Sequence, residues 1–178
     1  MLAETDSLTE TDEALLDRFQ RGAFDYFLRW VNPANGLVAD TSRDKSPSSI
    51  AVVGFALSCY PVAVERGWMT REAAADRTLA TLDFFWNASQ SPDPDATGYK
   101  GFYYHFIDME NGGRVWQCEL SLVDTALLLA GILVASAYFA AGGEKEKTIR
   151  ARADALYRRA DWQWAMGGRH TLRQGWKP

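Results

Sequence analysis

Histidine and cysteine are almost missing from this chain, with two of each in 178 residues. Cys59 and Cys118 lie far apart in apolar or aromatic settings, with no His or Cys at ligand spacing beside them. That excludes a zinc module and a disulfide framework and reads as two free thiols. His105 and His170 form no spaced pair, so no metal is expected, and His170 reads as simply exposed. A Gly-rich phosphate loop is also lacking. Gly142-Gly143 and Gly167-Gly168 fit helix ends better than nucleotide sites, and no cofactor is expected. Basic charge is in deficit: 19 Lys and Arg against 23 Asp and Glu give a net −4 with no basic stripe, which argues against a nucleic-acid partner. A basic-then-apolar leader is missing too, because residues 1–13 are acidic and polar. The segment therefore reads either as cytoplasmic as it stands or as a piece of an exported protein without its leader, and its location stays open. Residues 1–11 are expected to form a flexible tail. No tight repeat of fixed period is visible.

What is present is apolar and aromatic. Hydrophobic residues make up 47% of the chain and aromatics 13%, with seven Trp, enough for one domain with a real core. Trp-rich surfaces stack on sugar rings, but core packing is the commoner use.

Helical periodicity dominates. A first helix is expected over about 12–30, with Leu15, Leu16, Phe19, Phe24, Phe27 and Leu28 as its apolar stripe. A second starts at Ser48 or Ser49, is apolar nearly all round, bends at Pro61 and ends at Gly67. A third, charged on one side, runs from the Thr70 cap to about Asn87. A fourth, about 121–141, is apolar again and stops at Gly142-Gly143. A fifth, about 144–164, is charged. Between the third and fourth, Phe102 to Ile107 reads as a strand, Asn111-Gly112-Gly113 as a turn, and Arg114-Val115-Trp116 as the returning strand of a short hairpin near 102–116. Amphipathic and apolar helices thus alternate, as an outer and an inner ring of a helical toroid would. Leu120 to Ala141 is about long enough to span a bilayer, but it holds Ser121, Asp124, Thr125 and Ser136 without close basic flanks. No membrane span is expected.

The richest stretch is Trp116-Gln117-Cys118-Glu119-Leu120-Ser121-Leu122-Val123-Asp124-Thr125, at the start of the fourth helix. On the residues alone, Glu119 or Ser121 could cap that helix and Asp124 could favour its dipole. Equally, the carboxylates could serve a site.

Several blocks in order carry a resemblance: Phe24-Asp25-Tyr26-Phe27, Asn35 to Asp40, Ser49 to Phe55, Glu65 to Arg71, Gly101 to Phe106, Glu119 to Leu128, Trp162-Gln163-Trp164 and Gly175-Trp176-Lys177-Pro178. They resemble the bacterial glucoamylase-like family, which includes the β-1,2-glucanases and a domain of cyclic β-1,2-glucan synthases. The resemblance implies an all-α, (α/α)6 toroid. It covers only the early helices of the ring, so residues 1–178 are expected to be the N-terminal part of a single, longer domain. The implied function is hydrolysis of glucan or gluco-oligosaccharides, β-1,2-linked by preference, by carboxylate acid/base chemistry. Asp124 matches an essential acidic position, and Glu119 would bind a sugar hydroxyl or act as a second acid. Trp116, Tyr103, Tyr104 and His105 are candidates to line a glycan cleft, or else a hairpin packed on the rim. Asp40 and Arg43 reach the rim or form a surface ion pair. The isolated chain is expected to be inactive. A non-catalytic glycan-binding or scaffold domain, and a truncated homologue that self-associates through exposed inner helices, are the alternatives.

Overall fold

The computed structural model describes residues 10–178. Most of the expected tail, residues 1–9, lies outside the described residues, while Glu10 and Thr11 already belong to the first helix. The chain is mainly helical: α1 (Glu10–Arg29), α2 (Ile50–Glu65), α3 (Arg71–Asn87), α4 (Leu122–Tyr138), α5 (Glu144–Arg159) and the short α6 (Trp162–Met166). Among the described residues, six strands of two or three residues accompany them: β1 (Ser48–Ser49), β2 (Gly98–Tyr99), β3 (Phe102–Tyr104), β4 (Phe106–Ile107), β5 (Leu120–Ser121) and β6 (Gly175–Trp176). Among the described residues, no helix is long and apolar enough to cross a membrane.

Local chemistry sets the boundaries. The Thr70 hydroxyl accepts the Ala73 N–H at 3.1 Å and opens α3. Gly67 takes φ +68°, the left-handed turn that lets the chain leave α2. Ser121 opens α4, its hydroxyl accepting the Asp124 N–H at 3.1 Å. The expected fifth helix is two. Ala160 is extended, and the Asp161 carboxylate accepts the Trp164 N–H at 2.9 Å to start α6.

The expected hairpin is also corrected. The 102–107 strand divides at His105, and its halves pair with different partners. β3 lies between β2 and β5 in the antiparallel order β2-β3-β5-β6, whereas β4 pairs with β1. The return at 114–116 is reduced to one Ile107–Arg114 bridge beyond the 108–113 turn. These sheets tie the loops before α2 and before α4 into one rim.

Packing centres on α2 and α4. The two helices cross with their backbones touching at Gly54 and Gly131. A Cβ on Gly131 would lie 2.6 Å from the Gly54 carbonyl carbon, and one on Gly54 would lie 2.8 Å from that of Leu127. Val53, Leu57, Tyr60, Leu128, Ile132 and Ala135 fill the core around the crossing. α3 and α5 pack as a second pair, joined by Arg152 to Asp83 at 2.8 Å and Arg71 to Glu146 at 2.7 Å.

The apolar helices are not buried all round. α4 leaves Val123, Leu127, Leu133 and Val134 exposed on one face, and α2 leaves Phe55 and Val62 exposed. The cause is geometric: no described residue covers those faces, and the partner helices occupy the opposite side. The α1 stripe likewise divides, with Phe24 buried but Leu15, Leu16 and Phe19 exposed.

Candidate active site

Three side chains named from the sequence converge on the rim where β3, β5 and α4 meet. Asp124 stands in the first turn of α4, 17% exposed, where Ser121 holds it twice: the hydroxyl takes the Asp124 N–H and donates to Oδ2 at 2.5 Å. Glu119 enters just before β5, and His105 fills the break between β3 and β4. The backbone joins them, because the His105 N–H donates to the Glu119 carbonyl at 3.0 Å. The side chains then meet: His105 Nδ1 is 3.1 Å from Glu119 Oε1 and 3.6 Å from Asp124 Oδ2. One ligand-type atom from each of the three lies within 4.8 Å of the others. His, Glu and Asp are all metal-ligand types, so these three could hold an ion, and a count of spaced His pairs does not register such a set because its members come from separate segments.

Burial pushes the Glu119 carboxyl up. Its own backbone N–H, the His105 ring and the Lys177 charge outweigh burial and hold it below the ordinary carboxylate value. A carboxyl depressed by folding stabilises the native state above its ordinary pKa and loses that contribution as pH falls through the lowered value. We expect His105→Ala to move the Glu119 midpoint back upward and to shrink this acid-side contribution. Carbon-13 NMR titration of the Glu119 carboxyl checks it, and an unmoved midpoint would show that the ring does not hold the charge.

Trp116 is 70% exposed, and its ring meets Phe106 at 5.2 Å. Phe106 in turn stacks on His105, with centroids 3.9 Å apart at 13°. An aromatic ladder therefore leads from solvent to the carboxylate cluster. Trp116 and Gln117 both have left-handed φ, +56° and +51°, a strain of about 1–3 kcal/mol per residue for non-glycine side chains. A hollow of about 410 Å³ beside this turn is lined by Pro94, Asp95, Arg114, Gln117, Lys177 and Pro178.

The remaining candidates stand elsewhere. Tyr103 and Tyr104 are fully buried, so neither presents a ring face to a glycan in this chain. The Tyr103 hydroxyl donates to the Phe85 carbonyl at 2.8 Å beside the Arg159 guanidinium, and burial pushes its phenol up to about 12. Alternation along the strand does not expose either ring, because core side chains cover both faces of β3. Asp40 is half-buried and adjoins β1 through its N–H to the Pro47 carbonyl, 2.8 Å. Arg43 is exposed and lines a separate hollow of about 380 Å³ with Arg29, Lys45 and Glu110. Neither has an ion pair with the other. His170 is exposed, and both cysteines are free.

Sequence reading passed over two contributors. Thr125 accepts the Tyr103 N–H at 3.0 Å and donates to the Ser121 carbonyl at 2.6 Å, locking β3 onto the start of α4. Arg114 donates to the Cys118 carbonyl at 2.6 Å and the Gln117 carbonyl at 2.8 Å. A Thr one turn after a helix cap is a signal that could have been read; the fold of the Arg114 turn is not.

No family model matches the chain. It is 30% identical, in an alignment of 167 positions that covers 86% of this chain, to an exo β-1,2-glucooligosaccharide sophorohydrolase (non-reducing end) of Parabacteroides distasonis, of which it spans 21%. A solved β-1,2-glucanase from Parabacteroides distasonis superposes with a TM-score of 0.81 at 30% identity, over 99% of this chain and 25% of that one. A glucoamylase-like protein of Bacteroides fragilis superposes with a TM-score of 0.79 at 28% identity, over the whole of this chain and 43% of its own. The chain thus spans about a fifth of the curated relative and less than half of the solved ones. Motif order, sequence identity and superposition agree that this chain is a relative of the bacterial glucoamylase-like and β-1,2-glucanase proteins, matching a part of their length.

Proposed function

We propose that this chain supplies one side of the active site of a glycoside hydrolase that cleaves glucan or gluco-oligosaccharides, β-1,2-linked by preference, with Asp124 as an essential carboxyl. The carrying observation is the half-open cluster of Asp124, Glu119 and His105, in a chain whose 30%-identical relatives are named for β-1,2-glucan substrates.

The roles follow from distance and charge. Glycosidase acid and base carboxyls stand about 5–9.5 Å apart, across the scissile bond. The oxygens of Asp124 and Glu119 are closer, within 4.8 Å, so both act from one side of the sugar. Asp124 exchanges the proton with the reacting oxygen or its water. Glu119, held ionised, accepts hydrogen bonds from a sugar hydroxyl rather than serving as the acid. The opposing carboxyl comes from outside these 178 residues. Trp116 stacks on a pyranose face, and His105, within 3.1 Å of Glu119 and 3.6 Å of Asp124, holds the two carboxylates in register. Asp40 and Arg43 act as outer contacts at most.

Residues 1–178 are, in this reading, the N-terminal part of one (α/α)6 ring. The exposed apolar faces of α2 and α4 support it, because faces of this kind mark interfaces. Further ring helices would cover them. The same faces favour a second reading, self-association of the chain; a sedimentation coefficient unchanged by dilution and by concentration, at the monomer value, counts against it.

Incubation of the natural gene product with β-1,2-, β-1,3- and β-1,4-linked glucans, followed by product analysis, tests the proposal. Oligosaccharides released from the β-1,2-glucan are expected. Binding without release from any of the three would instead support a non-catalytic glycan-binding domain.

A further inference from the structure

We infer that Arg114 is a positioning residue for a glycan-stacking platform: its guanidinium locks the left-handed Trp116–Gln117 turn that holds the Trp116 indole out in solvent. The inference rests on the glucan reading for its ligand class, the pyranose rings of a gluco-oligosaccharide.

Two consecutive non-glycine residues with positive φ persist only where their surroundings over-determine them. Here the surroundings are mostly one side chain. Arg114 Nε donates to the Cys118 carbonyl at 2.6 Å and an Nη donates to the Gln117 carbonyl at 2.8 Å, so the fork grips two successive peptides after Trp116. The other Nη reaches the Pro94 carbonyl at 3.5 Å. The guanidinium is itself seated 4.4 Å from the centroid of the buried Tyr104 ring. The Cys118 N–H closes the turn on the Val115 carbonyl at 3.1 Å, and the Cys118 thiol braces it against the Phe106 backbone. Burial accounts for Tyr104 and Cys118, but it does not account for a Trp that is 70% exposed. An indole held rigidly in water by a strained, charge-clamped turn, one ring removed from the Phe106–His105 stack, is a preformed apolar face. Sugar rings present C–H faces of matching size. Lysine can replace the clamp only in part, since a point charge does not span two carbonyls as the planar fork does.

The test uses the natural gene product and four forms: wild type, Arg114→Ala, Arg114→Lys and Trp116→Ala. Nitrogen-15 relaxation of residues 116–118 without sugar reads the clamp, and steady-state hydrolysis of a β-1,2-gluco-oligosaccharide reads the platform. Arg114→Ala should drop the order parameters of the turn below about 0.6, and Arg114→Lys should fall between it and wild type. Both Arg114→Ala and Trp116→Ala should raise KM about tenfold with kcat within about twofold. Unchanged order parameters in Arg114→Ala would overturn the clamp. Unchanged KM in Trp116→Ala, with active wild type, would overturn the platform alone. Wild type that cleaves no β-1,2-glucan would instead refute the glucan reading and its ligand class, while the relaxation data still decide whether Arg114 holds the turn.

Discussion

Asp124→Asn is expected to lower hydrolysis of β-1,2-linked gluco-oligosaccharides by the natural gene product about 10²–10⁴-fold, the usual worth of a general acid or base. The substitution keeps the side chain's shape and an oxygen for the Ser121 hydroxyl, which now donates to Oδ2 at 2.5 Å. The helix cap itself survives, because the Ser121 hydroxyl still accepts the N–H of residue 124. Loss of stability should stay near 1 kcal/mol, within the range of a perturbed cap. Activity should therefore collapse while the melting temperature moves by only a few degrees. Unreduced kcat in a folded Asp124→Asn protein would sink the assignment and leave the carboxylate as a cap residue. Equal loss of both activity and folding would point the same way.

Gly131→Ala should be strongly damaging for a single added methyl. Its Cβ would lie 2.6 Å from the Gly54 carbonyl carbon and 2.7 Å from the Gly54 Cα, both backbone atoms that cannot rotate away. Relief requires α2 and α4 to move apart, which opens the contact around Val53, Leu57, Leu128 and Ile132. Overpacking of this kind costs about 1–3 kcal/mol, and more when rigid backbone is the obstacle. The gain in helix propensity, about 1 kcal/mol for Gly to Ala, works in the opposite direction. A net loss of roughly 2 kcal/mol is expected, read as a lower urea midpoint with an unchanged slope. Gly22→Ala in α1 is the control: nothing lies within 4 Å of its Cβ position, so propensity alone acts and stability should rise slightly. A Gly131→Ala protein as stable as the parent would mean that the helices do not touch there.

The first four helices and the caps at Thr70 and Ser121 were legible in the sequence because they depend on near neighbours, whereas Ser49 precedes α2 without a side-chain cap bond. Thr70 and Ser121 accept N–H groups three residues on, and Gly67 turns left-handed just past α2, as their residue types require. Ser121 and Asp124 share one helical turn, so their link is local as well. The order of motif blocks along the chain points to the glucanase relatives by itself.

What only the tertiary structure decided depends on contacts between distant segments. Glu119 and Asp124 are five positions apart and need not share a helix face; they meet because His105, fourteen residues before Glu119, is delivered to both by the pairing of β3 with β5. Tyr103 and Tyr104 look like cleft aromatics by type, and packing on both sides of β3 makes them core. Trp116 differs from them only in the turn that Arg114 clamps. The apolar periods of α2 and α4 announced burial on every side, yet periodicity records which faces are apolar and not which partner covers them. Local residue chemistry specifies elements and caps; which side chains share a site, and which apolar face stays open, is set by the pairing of strands and the crossing of helices far apart in the chain.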